Sequence, residues 1–470
     1  MFLRCVAPRA WAALVAVMSA TGLCVATAPA QAAPTPPPCP ASVVPGVPAL
    51  PGAVGCWNAI AVQTARRANV FPIQGLIAVS APQLAVYDAV TEIAGRYAPY
   101  HAFSPPPGTQ VAGASVDASI AAAAHATLAA AYPAQATGPM GLDAQYAGYI
   151  AALRADDRSG IDAGVAIGDA SARDLLAFRA GDRDESITYT PPPLSPGTWT
   201  FAPPPSLQSA QTPWVATMRP FTLASASQFR PTPPPPLSSA RWAEELNETK
   251  AYGSATSGVR TAQQTAVARF WNAQALNQYN QAFQDVAAAR AMDAVDTARV
   301  LAMGNVVGAD AGIACWDSKY HYRFWRPIMA IRNAGIDSNP ATVTDPAWTP
   351  LLTTPNHPEY PAAHGCLTGS EAEVLATVAD PYRSGFAIRG SADGTTDNWT
   401  ATQRFERPDD LQGQIVNARV WAGLHYRGSV RAGVQVGTAV ARWTLSRFFA
   451  PAPPRDCRRH DEHPNTGGRS

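Results

Sequence analysis

From Trp57 to about Ile93 apolar residues recur at helical spacing: Ile60, Val62 and Ala65, then Leu76, Val79, Leu84, Val86, Tyr87 and Val90. Residues 111–132 are Ala-rich and favour helix, and 142–181 accommodate two more helical segments. Few stretches alternate polar and apolar residues with period two. The pattern changes at 190–240, where Pro191-Pro192-Pro193, Pro203-Pro204-Pro205 and Pro233-Pro234-Pro235-Pro236 exclude regular helix and central strand. Trp199, Phe201, Trp214, Phe221 and Phe229 are too many aromatics for a free linker, so an ordered, extended segment clamped onto the helices is expected. From Arg241 helices resume over about 241–251, 261–276, 282–310, 312–333, 364–378, 407–422 and 429–448. The fold class is all-α.

A 470-residue chain with 47% hydrophobic residues can bury one large core or two smaller ones. Residues 1–32 read as a secretory signal peptide: Arg4 and Arg9 precede an apolar run, and Ala30-Gln31-Ala32 supplies a small-residue cleavage site. The divisions expected are 1–32 signal, 33–56 Pro/Ala-rich lead, 57–240 N-terminal helical region with the Pro-rich clamp, 241–450 C-terminal helical bundle, and 451–470 disordered tail. A formal net charge of +1 gives no field for nucleic acid or an anionic membrane. No later segment offers the ~20 uncharged apolar residues of a spanning helix. A secreted or periplasmic protein with no membrane span is expected. Export permits disulfides, and Cys39 with Cys56 can close a loop near the mature N-terminus. Cys315, Cys366 and Cys457 complete an odd set with no zinc spacing.

Chemistry concentrates late in the chain. In Thr354-Pro355-Asn356-His357-Pro358-Glu359-Tyr360-Pro361-Ala362-Ala363-His364-Gly365, prolines fix an extended lead-in before a helix. His364 then falls in a first helical turn, beside N–H groups that attract anions. Upstream, Lys319 and Arg326 lie seven apart, which on one continuous helix is within ~20° of two whole turns. Tyr320, Tyr322, Phe324 and Trp325 argue that both cations are buried, and buried cations require an anion. Downstream, Arg419 and His425 would diverge by ~120° on a straight helix, so convergence needs a break, which Gly423 can supply. Two histidines, a lysine and two arginines describe a site for a multiply charged oxyanion.

Lys-x6-Arg-Pro, Tyr-Pro-x-x-His and Arg-x5-His, in that order, resemble the superfamily of vanadium haloperoxidases and type 2 phosphatidic acid and acid phosphatases. Gln228-Phe229-Arg230-Pro231, Asn247-Glu248-Thr249-Lys250 and Phe270-Trp271 resemble its exported bacterial haloperoxidase branch, and the likeness spans roughly 57–447. It implies paired helical bundles with the site in the C-terminal one. Lys319, Arg326 and Arg419 would bind the equatorial oxygens of vanadate, or of phosphate in the same site. His425 would be the axial residue, ligating vanadium or attacking phosphorus. His364 would be the acid–base residue, and His357 would tune halide choice toward bromide. The partners implied are hydrogen peroxide and halide, or a phosphoester.

The departures are specific. The superfamily usually has Ser-Gly before the acid–base His, where this chain has Ala362-Ala363; the Ala363 N–H can still face the oxyanion. Ala418 replaces a usual Ser, and Ser429 replaces an Asp that would orient the axial imidazole. Three readings stay open: a vanadate-dependent haloperoxidase, a secreted phosphomonoesterase with His425 as nucleophile, and a catalytically weak oxyanion-binding protein.

Overall fold

The periodic segments become thirteen α-helices among the residues that the computed structural model describes, 50–138, 141–203, 209–379, 385–391, 393 and 399–453. They are α1 (Ala53–Arg67), α2 (Pro72–Ala94), α3 (Val116–Ala131), α4 (Leu142–Ala155), α5 (Ile161–Phe178), α6 (Ala240–Gly253), α7 (Ala262–Phe270), α8 (Ala275–Ala289), α9 (Ala294–Tyr322), α10 (Pro327–Arg332), α11 (Ala363–Val378), α12 (Pro408–Trp421) and α13 (Arg427–Leu445). A two-stranded antiparallel hairpin, β1 (Phe386–Gly390) and β2 (Ala401–Phe405), pairs Phe386 with Phe405 and is the element the helical pattern does not announce. The signal segment 1–32, Cys39 and most of the tail expected from residue 451 lie outside the described residues.

Helices α2 and α9 form the axis of the main core. Both are long and apolar enough to cross a membrane by length and composition, although each carries charged residues, among them Asp88 in α2 and Asp310 in α9. Within the bundle 83% and 94% of their apolar windows are buried, so their hydrophobic surface is spent on other helices. One continuous core joins residues of α1–α5 to residues of α8, α9, α11, α12 and α13.

Two packing features set the position of the chemistry. The first is the Pro-rich stretch. Trp199, Trp214 and Phe221 are buried, and Asp310 of α9 accepts hydrogen bonds from the N–H groups of Phe221 (2.6 Å) and Thr222 (2.7 Å). Arg230 forks onto Asp317 at 2.7 and 2.8 Å. Thr198 bridges Phe324, with Trp199 N–H donating to Arg323 O at 2.7 Å and Trp325 N–H to Gly197 O at 3.2 Å. That bridge ends α9. Arg323 takes a left-handed conformation (φ 50°), and the chain runs extended into α10. The helix expected over 312–333 is therefore broken, and Lys319 and Arg326 do not share a helix face.

The second feature is the crossing of α11 on α13. Gly365 and Gly369 face Gly433 and Gly437, and a Cβ on Gly437 would overlap the Cys366 carbonyl oxygen. Only hydrogen side chains let these backbones touch.

A disulfide joins Cys315 of α9 to Cys366 of α11, with Cα atoms 6.3 Å apart. Cys56 is also disulfide-bonded. Bridging a separation of 51 residues constrains the unfolded chain by about 4 kcal/mol. Cys366→Ser is expected to lose about that much unfolding free energy in urea titration. A loss below about 1 kcal/mol would mean the bridge is energetically idle.

Candidate active site

The segment from Asn356 to Pro361 is the spine of the site. Its chain is tied by Glu359 N–H to Phe324 O (2.8 Å) and by Gln211 N–H to Asn356 O (2.8 Å), so it lies between the Pro-rich clamp and the α9–α10 elbow. Lys319, fully buried near the end of α9, donates to three carbonyls of this spine: Pro358 (2.9 Å), Glu359 (3.0 Å) and Pro361 (2.6 Å). Its three protons are thus committed, and toward a ligand it acts as a point charge. Arg326, the residue before α10, donates from Nε to His357 O at 2.9 Å and from Nη1 to Leu424 O at 3.1 Å.

His425 sits in the turn between α12 and α13. Gly423, at φ 76°, ends α12, and a Cβ there would overlap the Gly253 carbonyl of α6. Thr249 of the same helix holds the His425 carbonyl at 3.3 Å. The imidazole is oriented at both nitrogens. Nδ1 lies 2.8 Å from Glu359 Oε1, and Nε2 lies 3.1 Å from Arg326 Nη1. A carboxylate on Nδ1 selects the Nδ1–H tautomer and leaves the Nε2 lone pair facing the cations.

Arg419, in the last turn of α12, donates from Nη1 to the Trp271 carbonyl at 3.0 Å, while its buried Nε has no partner. The same Trp271 backbone faces the His364 ring and favours its protonated form. The break between α7 and α8, where one helix over 261–276 was expected, is what turns this carbonyl toward the site. His364 is the second residue of α11 and retains some solvent exposure; Ala363, its first, has an N–H without an intrahelical acceptor. His357 is buried beside Arg326 Nη2 (3.0 and 3.2 Å to its ring nitrogens) and packs on Trp316, 5.0 Å between centroids.

Lys319, Arg326, His357, His364, Arg419 and His425 are therefore brought into one buried cluster, and Ala363 stands at its edge. The cluster is electrically unfinished. Burial and then repulsion from Arg326 hold Lys319 well below the usual lysine range and push Arg419 down to about 9, while burial alone pushes Arg326 down to about 10. His357, His364 and His425 are driven well below the usual imidazole range by burial and by these cations, so all three are neutral at pH 7. Glu359 is the carboxylate named among the charges acting on Lys319 and Arg326, and burial raises it to about 7. Three cations against one carboxylate leave two positive charges for an anion to neutralise.

Two site residues escape the motif reading. Ser429 stands where an Asp would orient the imidazole, and Glu359 supplies a carboxylate in its place, 2.8 Å from His425 Nδ1. The signal was present: it is the one acidic residue in an otherwise uncharged Pro/aromatic stretch. The Trp271 carbonyl carried no such signal.

A helical bundle that buries three cations around a carboxylate-held histidine defines an oxyanion-handling protein. Comparison with known proteins agrees with that class. Residues 299–451 match the family model for the second helical-bundle domain of VCPO. Over 90 residues, 17% of this chain, the sequence is 31% identical to vanadium chloroperoxidase of Curvularia inaequalis, and it spans only 14% of that relative's length. The crystal structure of the first bacterial vanadium-dependent iodoperoxidase is similar, with TM-score 0.70 and 19% identity, covering 88% of this chain and 99% of the other. A holo-type bacterial vanadium-dependent chloroperoxidase follows, with TM-score 0.62 and 16% identity over 80% and 92%. Residues 299–451 thus match the second helical-bundle domain of VCPO, and the chain shares the fold of the bacterial vanadium haloperoxidases.

Proposed function

We propose that the protein is a vanadate-dependent haloperoxidase that oxidises halide, bromide before chloride, with hydrogen peroxide. One observation carries the reading: His425 Nε2, with Nδ1 bonded to Glu359, points into a cluster holding two uncompensated positive charges. The residues fit the cofactor. Arg419 Nε is a buried donor without an acceptor, burial destabilises the charge on the Arg326 and Arg419 guanidinium groups, and a neutral imidazole nitrogen faces Arg326.

When bound, vanadate supplies a Lewis-acidic centre that polarises peroxide toward halide. The chain does the rest. His425 Nε2 would offer its lone pair to the bound group while Glu359 keeps the proton on Nδ1. Arg326 and Arg419 offer guanidinium donors to the oxyanion, Lys319 adds charge at a distance, and the Ala363 N–H adds a helix-terminus donor. His364 faces the Trp271 backbone through one ring nitrogen. Its other nitrogen, neutral at pH 7, would take the proton that peroxide must lose and return it to the leaving oxygen.

Export fits this reading: two bridged positions, Cys56 and Cys315–Cys366, require an oxidising compartment, and residues 1–32 carry a signal-like pattern. Intact mass of the secreted protein should start near Ala33.

The test is direct. Vanadate-loaded protein with peroxide should brominate a phenolic reporter and barely use chloride. His357→Ala should slow bromination about tenfold while changing vanadate affinity less than about threefold, because His357 touches Arg326 rather than replacing a donor. Hydrolysis of p-nitrophenyl phosphate with no bromination from about pH 4 to 8 would move the assignment to a phosphatase using the same His425. Vanadate binding without either activity would support a degenerate site.

A further inference from the structure

We propose that Glu359 is the positioning residue for His425, and that residues 357–361 act as one splint setting the geometry of the anion cradle. The inference rests on reading His425 as the residue that meets the oxyanion.

The carboxylate is completely buried, and Oε1 accepts from His425 Nδ1 at 2.8 Å and from the Tyr426 N–H at 3.2 Å. Two donors on one oxygen fix both the imidazole plane and the turn that bears it. The backbone of Glu359 is itself immobilised, with its N–H on Phe324 O at 2.8 Å and its carbonyl on Lys319 Nζ at 3.0 Å. Its neighbour His357 presents a carbonyl to Arg326 Nε at 2.9 Å and a ring to Arg326 Nη2. Pro358 and Pro361 complete the carbonyl cage on Lys319. Five consecutive residues therefore hold Lys319, Arg326 and His425, which come from three different elements.

Ser429, one helical turn after His425, is buried against the Glu359 carboxylate and makes no hydrogen bond to the imidazole. A carboxylate delivered from the splint, rather than from α13, means the axial nitrogen and both cations are registered to one rigid segment. The Nδ1–H tautomer is thereby imposed before any anion arrives.

The experiment uses full-length protein labelled with 15N-histidine, without anion, comparing wild type, Glu359→Gln and Glu359→Ala. Imidazole 15N shifts of His425 report its tautomer, and titration calorimetry with orthovanadate reports affinity. Wild type should show the proton on Nδ1 alone. Glu359→Gln, isosteric and able to fold, should mix the two tautomers and weaken vanadate about tenfold, and Glu359→Ala about 100-fold. A purely structural role would lower thermal stability without mixing tautomers in the folded Gln variant. Wild-type tautomer and wild-type affinity in Glu359→Gln would overturn the proposal. If vanadate fails to bind wild type, the functional reading falls, whereas the tautomer result still decides the role of Glu359.

Discussion

Gly437→Ala is expected to destabilise the protein by about 3 kcal/mol or more, at the top of the range for overpacking. Gly413→Ala, in the adjacent α12, is expected to stabilise it by about 0.5–1 kcal/mol. The chemistry of the two changes is identical, and the surroundings decide the sign. At Gly413 nothing lies within 4 Å of the added methyl, so the variant gains the lower unfolded entropy and better helix propensity of Ala. At Gly437 the methyl overlaps the Cys366 carbonyl oxygen and stands 2.7 Å from Ser370 N, both backbone atoms of α11 that no rotamer change can move. The helices must separate along their crossing. That crossing also carries the Ala362 N–H to Ser429 O bond (3.1 Å) and the start of α11, so His364 moves with it. Urea midpoints of the two variants check the pair of signs. A neutral Gly437→Ala would mean that α11 and α13 do not touch as described.

The same crossing shows what the chain reveals by itself. Gly365, Gly369, Gly433 and Gly437 sit four apart on two helices, but nothing local says that these two helices meet. The charged motifs were legible for the opposite reason: in a chain only 15% charged, Lys319, Arg326 and Arg419 stand among aromatic or apolar neighbours, and burial of each demands a partner. Helix existence was legible from periodicity; helix ends set by distant contacts were not. The break at Arg323 is imposed by a bridge from Thr198, more than a hundred residues earlier, so the helical spacing of Lys319 and Arg326 implied a convergence that the fold reaches by another route. Cys315–Cys366 was hidden likewise, because its loop spans 51 residues and closes only when α9 meets α11. Glu359 is the instructive omission. The missing acid at Ser429 was read as a loss, although a buried imidazole facing three cations requires a carboxylate somewhere, and the one acidic residue in the His357–His364 stretch was the candidate.

His425→Ala is expected to abolish peroxide-dependent halide oxidation and to weaken orthovanadate binding by about 100-fold or more, beyond the usual effect of losing an outer partner. The substitution removes the nitrogen that accepts from Arg326 Nη1 at 3.1 Å, and with it a neutral lone pair directed at the cation cluster. Its effect on folding should be smaller. Glu359 keeps the Tyr426 N–H, and burial already holds its carboxyl near 7, so protonation can relieve the loss of the imidazole. Leaving part of a buried carboxyl unpaired costs about 1–3 kcal/mol. The pH dependence of that cost has a definite sign. In the wild type a neutral, buried His425 binds its proton less well than in the unfolded chain, so its share of stability is full above the ordinary imidazole pKa and is lost as pH falls below it. The alanine variant should lack that acid-side loss and show a flatter stability profile below about pH 6.5. The cavity left behind has the shape of imidazole, and added imidazole should restore part of the vanadate affinity. Calorimetry on the folded variant, with and without imidazole, separates the outcomes: unchanged affinity would remove His425 from the anion site, whereas lost affinity that imidazole recovers would locate the missing bond at Nε2.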